Sequence, residues 1–281
     1  MKKWQKILAI FTAAVLMLTI WVLWGNTALE INEYKVRSEH LPEAFSGFRI
    51  THISDFHNTE IGQDNDRVIA MLAKTQPDII VITGDLIDSR NTNVERSLSM
   101  VLRALEIAPV YYVSGNHESR LAEYYDLKAG MQDAHVVVLE DEKIQITRGE
   151  DHITIMGIDD PSFRRSFSNI APTVGEAIAG LQEESDGYTV VLCHRPELFD
   201  TYVNAGVDLV FTGHVHGGQV RIPLIGGVVA PNQGFFPEYD AGKFTQGRTT
   251  MMVSRGVGNS LAPLRVNNRP ELIVVELESG T

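Results

Sequence analysis

Cysteine is almost missing from this chain of 281 residues, where Cys193 stands alone. No internal disulfide can form, so the fold rests on packing, hydrogen bonds or bound metal even in an oxidising compartment. Basic residues are also in short supply, 24 against 36 acidic ones, and setting Lys2, Lys3 and Lys6 aside leaves 21 and a formal charge of about −15 on the remainder. A surface of that sign repels long nucleic acids. There is no internal repeat and no low-complexity tract, which excludes a repeat architecture.

What is present begins with a separable N-terminus. Ile7 to Trp24 carries no charge and only Thr12 and Thr19 as polar members. As a helix it rises about 27 Å, close to the roughly 30 Å of a bilayer core. Trp4, Trp21 and Trp24 sit at its ends, where interfacial aromatics belong. A cleaved signal peptide wants a shorter apolar region and an Ala-x-Ala site, which Asn26-Thr27-Ala28 matches poorly. The expectation is an uncleaved signal anchor over residues 1–25. Lys2, Lys3 and Lys6 bias the N-terminus inward, giving a single-pass protein of the cell membrane with the rest of the chain outside the cytoplasm.

Residues 26–47 read as a linker and edge strand, with Ile31, Tyr34 and Val36 alternating, and residues 48–281 as one domain. From Phe48 short apolar strands alternate with amphipathic helices. Strands are expected at Arg49–Ser54, Asp78–Thr83 and Val110–Ser114, and helices at Asp64–Lys74, Val94–Glu106 and Glu118–Met131. Val136–Leu139, Lys143–Thr147 and His152–Ile158 read as a meander opening the second half, and Ile170–Glu184 as loop and helix. A strand at Tyr188–Cys193, a helix at Pro196–Ala205 and a strand at Val207–Phe211 follow. After a Gly- and Pro-rich loop, Arg221–Gly247, strands at Thr249–Ser254 and Glu271–Leu277 close the chain.

Polar clusters recur at strand ends: Ser54-Asp55-Phe56-His57-Asn58, Thr83-Gly84-Asp85, Gly115-Asn116-His117-Glu118, His194 after Cys193, and Gly213-His214-Val215-His216-Gly217-Gly218. Sites in α/β sheets lie outside the carboxyl ends of strands, so these clusters should converge. A His-x-His between glycines alone is a weak metal signal, and Asp85 or Asn116 taken singly suits a turn. Jointly they are hard to explain as packing. His40, His52, His135 and His152 fall outside the clusters and read as core or surface, Arg195 as a surface arginine in preference to a contact for a phosphate group, and Cys193 as core.

The set D-x-H, G-D, G-N-H-[ED], H and G-H-x-H, in that order over residues 48 to 218, resembles the calcineurin-like metallophosphoesterase family. The segment Arg255-Gly256-Val257-Gly258…Pro263-Leu264-Arg265…Pro270-Glu271 is similar to its membrane-anchored bacterial branch. The resemblance implies an α/β (α+β) fold, a four-layer αββα sandwich of two mixed sheets flanked by helices, here preceded by one transmembrane helix. It implies that Asp55, His57 and His216 bind one divalent metal, that Asn116, His194 and His214 bind a second, and that Asp85 bridges them. The ligand types suit Mn²⁺, Fe or Zn²⁺. Two such ions about 4 Å apart lower the pKa of a shared water toward 7, giving hydroxide for attack on a phosphate ester. His117 is then the acid that protonates the leaving alkoxide or orients the phosphate. Tyr, which purple acid phosphatases carry three residues after the G-D aspartate, is replaced by Asp88, which disfavours that class.

The expected substrate is a phosphomonoester or phosphodiester near the bilayer, lipid-linked or derived from the cell envelope. A small-nucleotide phosphodiesterase and a non-catalytic metal-stabilised binding module are the competing readings. Oligomeric state is not written in the sequence.

Overall fold

The computed structural model describes residues 2–167, 172–183, 187–259 and 264–280. Ile170 and Glu184, which bounded an expected loop and helix, and Pro263 lie outside them. The chain opens with helix α1 (Lys3–Thr27), none of whose residues is buried, and strand β1 (Glu30–Ser38). Then come β2 (Arg49–Ile53), α2 (Asp66–Lys74), β3 (Ile79–Thr83), α3 (Val94–Leu105), β4 (Val110–Val113), α4 (Tyr124–Asp133) and β5 (Val137–Val138). The second half runs β6 (Glu142–Arg148), β7 (Asp151–Gly157), α5 (Pro161–Phe167), α6 (Val174–Gln182), β8 (Tyr188–Leu192), α7 (Phe199–Ala205) and β9 (Leu209–Thr212). Two short ribbons follow, β10 (Arg221–Ile222) with β11 (Gly226–Gly227) and β12 (Val229–Ala230) with β13 (Gly234–Phe235). Strands β14 (Gly242–Gln246), β15 (Thr249–Val253) and β16 (Glu271–Ser279) complete the fold.

Two six-stranded mixed sheets result, ordered β1-β16-β2-β3-β4-β5 and β14-β15-β9-β8-β7-β6. Strands β2 to β5 are mutually parallel, as are β7, β8, β9 and β15. Side-chain alternation along a strand decides which layer each residue joins. In β3, Ile79 and Val81 face the other sheet, while Ile80 and Ile82 face the helices. The inter-sheet core joins Ile50, Val81, Val113 and Val275 of the first sheet to Ile155, Val190, Leu209 and Phe211 of the second. On the outer faces, α2, α3 and α4 cover the first sheet through Leu72, Val101 and Leu127, and α6 and α7 cover the second through Ile178 and Tyr202. This is the expected four-layer sandwich, preceded by one exposed apolar helix.

Helix ends follow local chemistry. The Asn93 side chain accepts the Arg96 N–H at the start of α3, Thr173 and Glu176 form a capping box on α6, and Gly206 ends α7 in the left-handed region. Cys193 is buried and unpaired, its thiol pushed up to about 11 by that burial. His52 is a core residue as read, its Nε2 2.7 Å from Thr83 Oγ1 and its ring against Phe211.

Three expectations need correction. The β5 strand does not join a meander, because it pairs in parallel with β4 in the first sheet, and the crossing to the second sheet comes after it. The helix expected from Glu118 starts only at Tyr124, since Glu118–Arg120 is a single 3₁₀ turn that ends with Leu121 extended. The loop Arg221–Gly247 holds two ribbons and strand β14, which short Gly-separated pairs do not reveal as a period. The 26–47 segment does supply the edge strand, paired in parallel with β16 along its whole length.

Since α1 buries nothing, residues 28–281 should fold without it. Within that fragment Phe211→Ala should cost about 3–5 kcal/mol, the usual range for emptying an aromatic site in a tight core. Urea unfolding followed by tryptophan-independent circular dichroism reads the difference, and a change below about 1 kcal/mol would mean the sheets do not meet there.

Candidate metal centre

Strands β2, β3 and β4 of one sheet and β8 and β9 of the other end on the same rim of the sandwich. There the two sheets are tied directly. His194 Nδ1 lies 2.7 Å from the Thr83 carbonyl, and the His214 N–H donates to both Asp55 carboxylate oxygens at 3.0 and 3.1 Å. Such close approach needs glycine. A Cβ on Gly213 would collide with Ser54 Oγ and the Asp55 carboxylate, and one on Gly84 would strike the backbone of Gly115.

Three groups of side chains on this rim bring their ligand atoms within 4.8 Å of one another: Asp55 with His57 and His216, Asp85 with His194 and His214, and His57 with Asp88 and His117. Asp85 reaches both of the first two, its Oδ2 standing 3.6 Å from His57 Nε2 and 3.2 Å from His194 Nε2. His57 Nε2 and His216 Nε2 face each other at 3.2 Å. The Asn116 Oδ1 and His194 Nε2 atoms are buried without a hydrogen-bond partner. Orphans of that kind are costly, and a cation between them would satisfy both. The donor set, imidazole nitrogen with carboxylate and amide oxygen, fits a borderline divalent metal. The Thr83 carbonyl accepts the hydrogen bond of Nδ1–H in a neutral His194, which leaves Nε2 free to meet a metal.

Backbone conformation at the rim is strained. Asp55, His57, Asp85, His214 and His216 all have φ between 47° and 71°. For residues other than glycine that region costs of order 1–3 kcal/mol each, and it persists only where the surroundings enforce it. Here the enforcing bonds are visible: Asp55 N–H to Gly84 O, His57 N–H to Asp85 O, and Gly258 N–H to Asp55 O.

Charge at the rim is unbalanced without a cation. Burial lowers His57 to about 3 and depresses His214 and His216 as well, so these rings are neutral and ready to ligate. Burial also pushes Asp55 up, to about 6. For His194, burial acts downward, but Asp85 and Asp55 outweigh it and hold the ring up at about 10. The Asp85 carboxyl is held well below its usual range, the neighbouring His194 outweighing burial.

The structure adds residues that the sequence reading passed over. Glu118 accepts N–H bonds from Asp85, Leu86, Ile87 and Gly115 at 2.7 to 3.2 Å and so locks the two glycine loops together. It stood in the motif, but nothing in a linear sequence shows four backbone donors meeting it. Arg195 is buried, which corrects the surface reading. Asp160 grips it twice, at 2.5 and 2.9 Å, and its Nη1 lies 2.8 Å from His214 Nε2. Asn232 Nδ2 sits 3.1 Å from the same nitrogen. Arg265, also buried, donates to Asn259 Oδ1 and to the carbonyls of Arg255 and Gly258 beside His216.

A cleft of about 610 Å³ opens over the rim, lined by Asp85, Asn116, His117, Arg195, His214 and His216 among others. His117 Nδ1 accepts the Ser89 N–H at 3.0 Å, which in a neutral ring puts the proton on Nε2. Asp88, 3.9 Å from His117, is held low by Arg90, whose guanidinium bonds to it outweigh burial.

The model of the calcineurin-like phosphoesterase family matches residues 48–218 of the chain. An uncharacterized metallophosphoesterase, YkuE of Bacillus subtilis, is 28% identical over 263 residues, 89% of this chain and 86% of its own. The phosphodiesterase YaeI of Escherichia coli is 28% identical over 236 residues, 82% of each. Among solved structures, the Thermus thermophilus sulfate thiohydrolase SoxB in complex with glycerol shares the fold, with a TM-score of 0.50 at 14% identity over 85% of this chain and 57% of that one.

Two outcomes follow from the geometry. Gly213→Ala should abolish tight metal binding, because the added methyl drives Ser54 and Asp55 away, and equilibrium dialysis against Mn²⁺ measures it. Because a raised His194 must give up its proton to ligate through Nε2, while the lowered rings hold none at neutral pH, affinity should rise with pH by up to about tenfold per unit between about pH 6.5 and 8.5. Calorimetric titrations at three pH values test this, and affinity independent of pH would contradict it.

Proposed function

The chain belongs to the calcineurin-like phosphoesterase family, a family of metal-dependent phosphate-ester hydrolases, and on that premise we propose that it is a membrane-tethered two-metal phosphoesterase with its active cleft over the strand-end rim. The observation that carries this reading is the position of Asp85, within 3.6 Å of a ring nitrogen in each of two metal-sized clusters. Asp55, His57 and His216 would hold one divalent ion, Asn116, His194 and His214 would hold the other, and the Asp85 carboxylate would serve both. When bound, the two ions supply a water of lowered pKa and neutralise charge on the phosphoryl oxygens.

The protein's own residues do the rest. Asp55 and Asp85, fixed by the N–H groups of His214 and His117, keep their carboxylates aimed inward. His117 presents its Nε2 proton to the leaving oxygen, because Ser89 occupies the other ring nitrogen. Arg195, held by Asp160 and Ser162 with its Nη1 on His214, places positive charge in the cleft wall, which favours a phosphoryl oxygen there. Anchored by α1 with the N-terminus inside, the domain works outside the cytoplasm on a phosphate ester that is lipid-linked or derived from the envelope.

Hydrolysis of nitrophenyl phosphate and bis-nitrophenyl phosphate by the Mn²⁺-loaded protein tests the activity. Asp85→Asn should remove metal and turnover together, and retained turnover in that variant would sink the bridging role. His117→Ala should reduce turnover of alkyl phosphate esters by about 10² to 10⁴, and that of nitrophenyl esters much less, since a nitrophenolate leaves without a proton. Equal losses on both would contradict the role given to His117.

A further inference from the structure

Exposed apolar side chains on the globular domain are concentrated in one place. Outside α1, ten large hydrophobic residues are exposed among the described residues, and eight of them lie between Val220 and Phe236 or at Leu264. Single exposed apolar residues mean little, but a concentrated group marks a contact surface. Leu224, in the turn between β10 and β11, has 107% relative exposure, and Phe235 and Phe236, at the end of β13, have 77% and 61%. Leu224 and Phe236 also adopt φ of 68° and 54°. Turn positions with positive φ favour glycine or asparagine, and a bulky side chain there is strained. At Leu224 and Phe236 the chain therefore places large, water-exposed apolar groups where backbone conformation alone favours small residues.

The ribbons are continuous with both the anchor and the cleft. On one side, Arg221 N–H donates to Val266 O and Gln219 Nε2 to Leu264 O, and the next residue, Arg265, exchanges two hydrogen bonds with Asn26 in the last turn of α1. Arg269 of the same segment stacks on Trp24 of that turn at 5.0 Å. On the other side, the turn between β12 and β13 carries Pro231 and Asn232 into the cleft wall, where Asn232 reaches His214. Val228 and Phe236, joined by a backbone bond, link the two ribbons.

We infer that the β10–β11 turn with Leu224 and Ile225, together with Phe235 and Phe236 at the open end of the second ribbon, docks into the lipid bilayer beside α1, so that the cleft faces the headgroup layer and takes a phosphate ester borne on a lipid. This rests on the two-metal reading for its chemistry and on the apolar surface for its placement. The helix root supplies the reason that the occupant is a bilayer: the patch adjoins the end of a 25-residue apolar helix with no buried residue, where the membrane surface must lie if α1 spans it. Insertion of these side chains relieves the exposure of Leu224 and Phe236 and fixes the cleft at the depth of a lipid phosphate.

The full chain in vesicles of phosphatidylglycerol and phosphatidylethanolamine tests this. Cys193 is buried, so nitroxide labels can be placed through Leu224→Cys, Phe235→Cys and, as a control on the far edge strand β6, Gln145→Cys. Labels at 224 and 235 should be relaxed by oxygen and shielded from an aqueous nickel chelate, with the opposite at 145. Water-like accessibility at all three sites overturns the docking. In the same vesicles, Leu224→Glu combined with Ile225→Glu should lower hydrolysis of an embedded nitrophenyl ester of phosphatidic acid by about tenfold or more, with bis-nitrophenyl phosphate unchanged. Equal loss on both substrates would mean the ribbon shapes the site rather than its placement, and contradicts the inference. Failure of the unmodified protein on both substrates would instead count against the two-metal reading, since the label measurement needs no turnover.

Discussion

Everything at the rim depends on a buried carboxylate placed between two clusters of imidazoles. Asp85 lies at the end of β3, nearly removed from solvent, with the His117 N–H on one oxygen and His57 and His194 near the other. Burying that charge together with Asp55 is unfavourable unless positive charge joins it. The same two carboxylates hold the neighbouring His194 ring up in return. Bound cations would supply positive charge there, and their binding would then be part of the folding free energy of the strand ends. The strain stored in five left-handed residues is sustained by backbone bonds among the loops at the strand ends, Asp55 N–H to Gly84 O, His57 N–H to Asp85 O and Gly258 N–H to Asp55 O.

That arrangement explains why the two sheets must be registered so closely. Gly213 and Gly84 let backbone pass where a side chain would block it, and Glu118 ties the loops after β3 and β4 with four N–H bonds. A shift of one residue in either sheet would turn the apolar inner face outward and carry the ligands away from one another. The inter-sheet core around Phe211 and Val190 therefore sets the precision of the site as well as the stability of the fold.

Much of this was legible in the sequence because it is written locally. Short apolar runs ending in Asp55, Asp85, Asn116, His194 and His214 located both the strands and the rim, since a strand end is a property of a few consecutive residues. Arg195 was misread because its partner, Asp160, is 35 positions away and nothing local marks the pair. The role of Glu118 is hidden for a related reason, as its partners are backbone groups that carry no letter in the sequence. β5 was assigned to the wrong sheet because a two-residue strand has no period, and its parallel partner β4 lies beyond a helix. The ribbons of the Arg221–Gly247 segment escaped notice for want of alternation, although their apolar letters were plain.

The central claim is that one carboxylate, Asp85, joins two metal sites. Electron paramagnetic resonance of the Mn²⁺-loaded protein, with the metal content counted on the same sample, tests it most directly. Two ions per chain with an exchange-coupled multiline spectrum is the predicted result, because a shared carboxylate brings the ions close enough to couple. One ion per chain, or two with the spectrum of isolated Mn²⁺, would contradict the account.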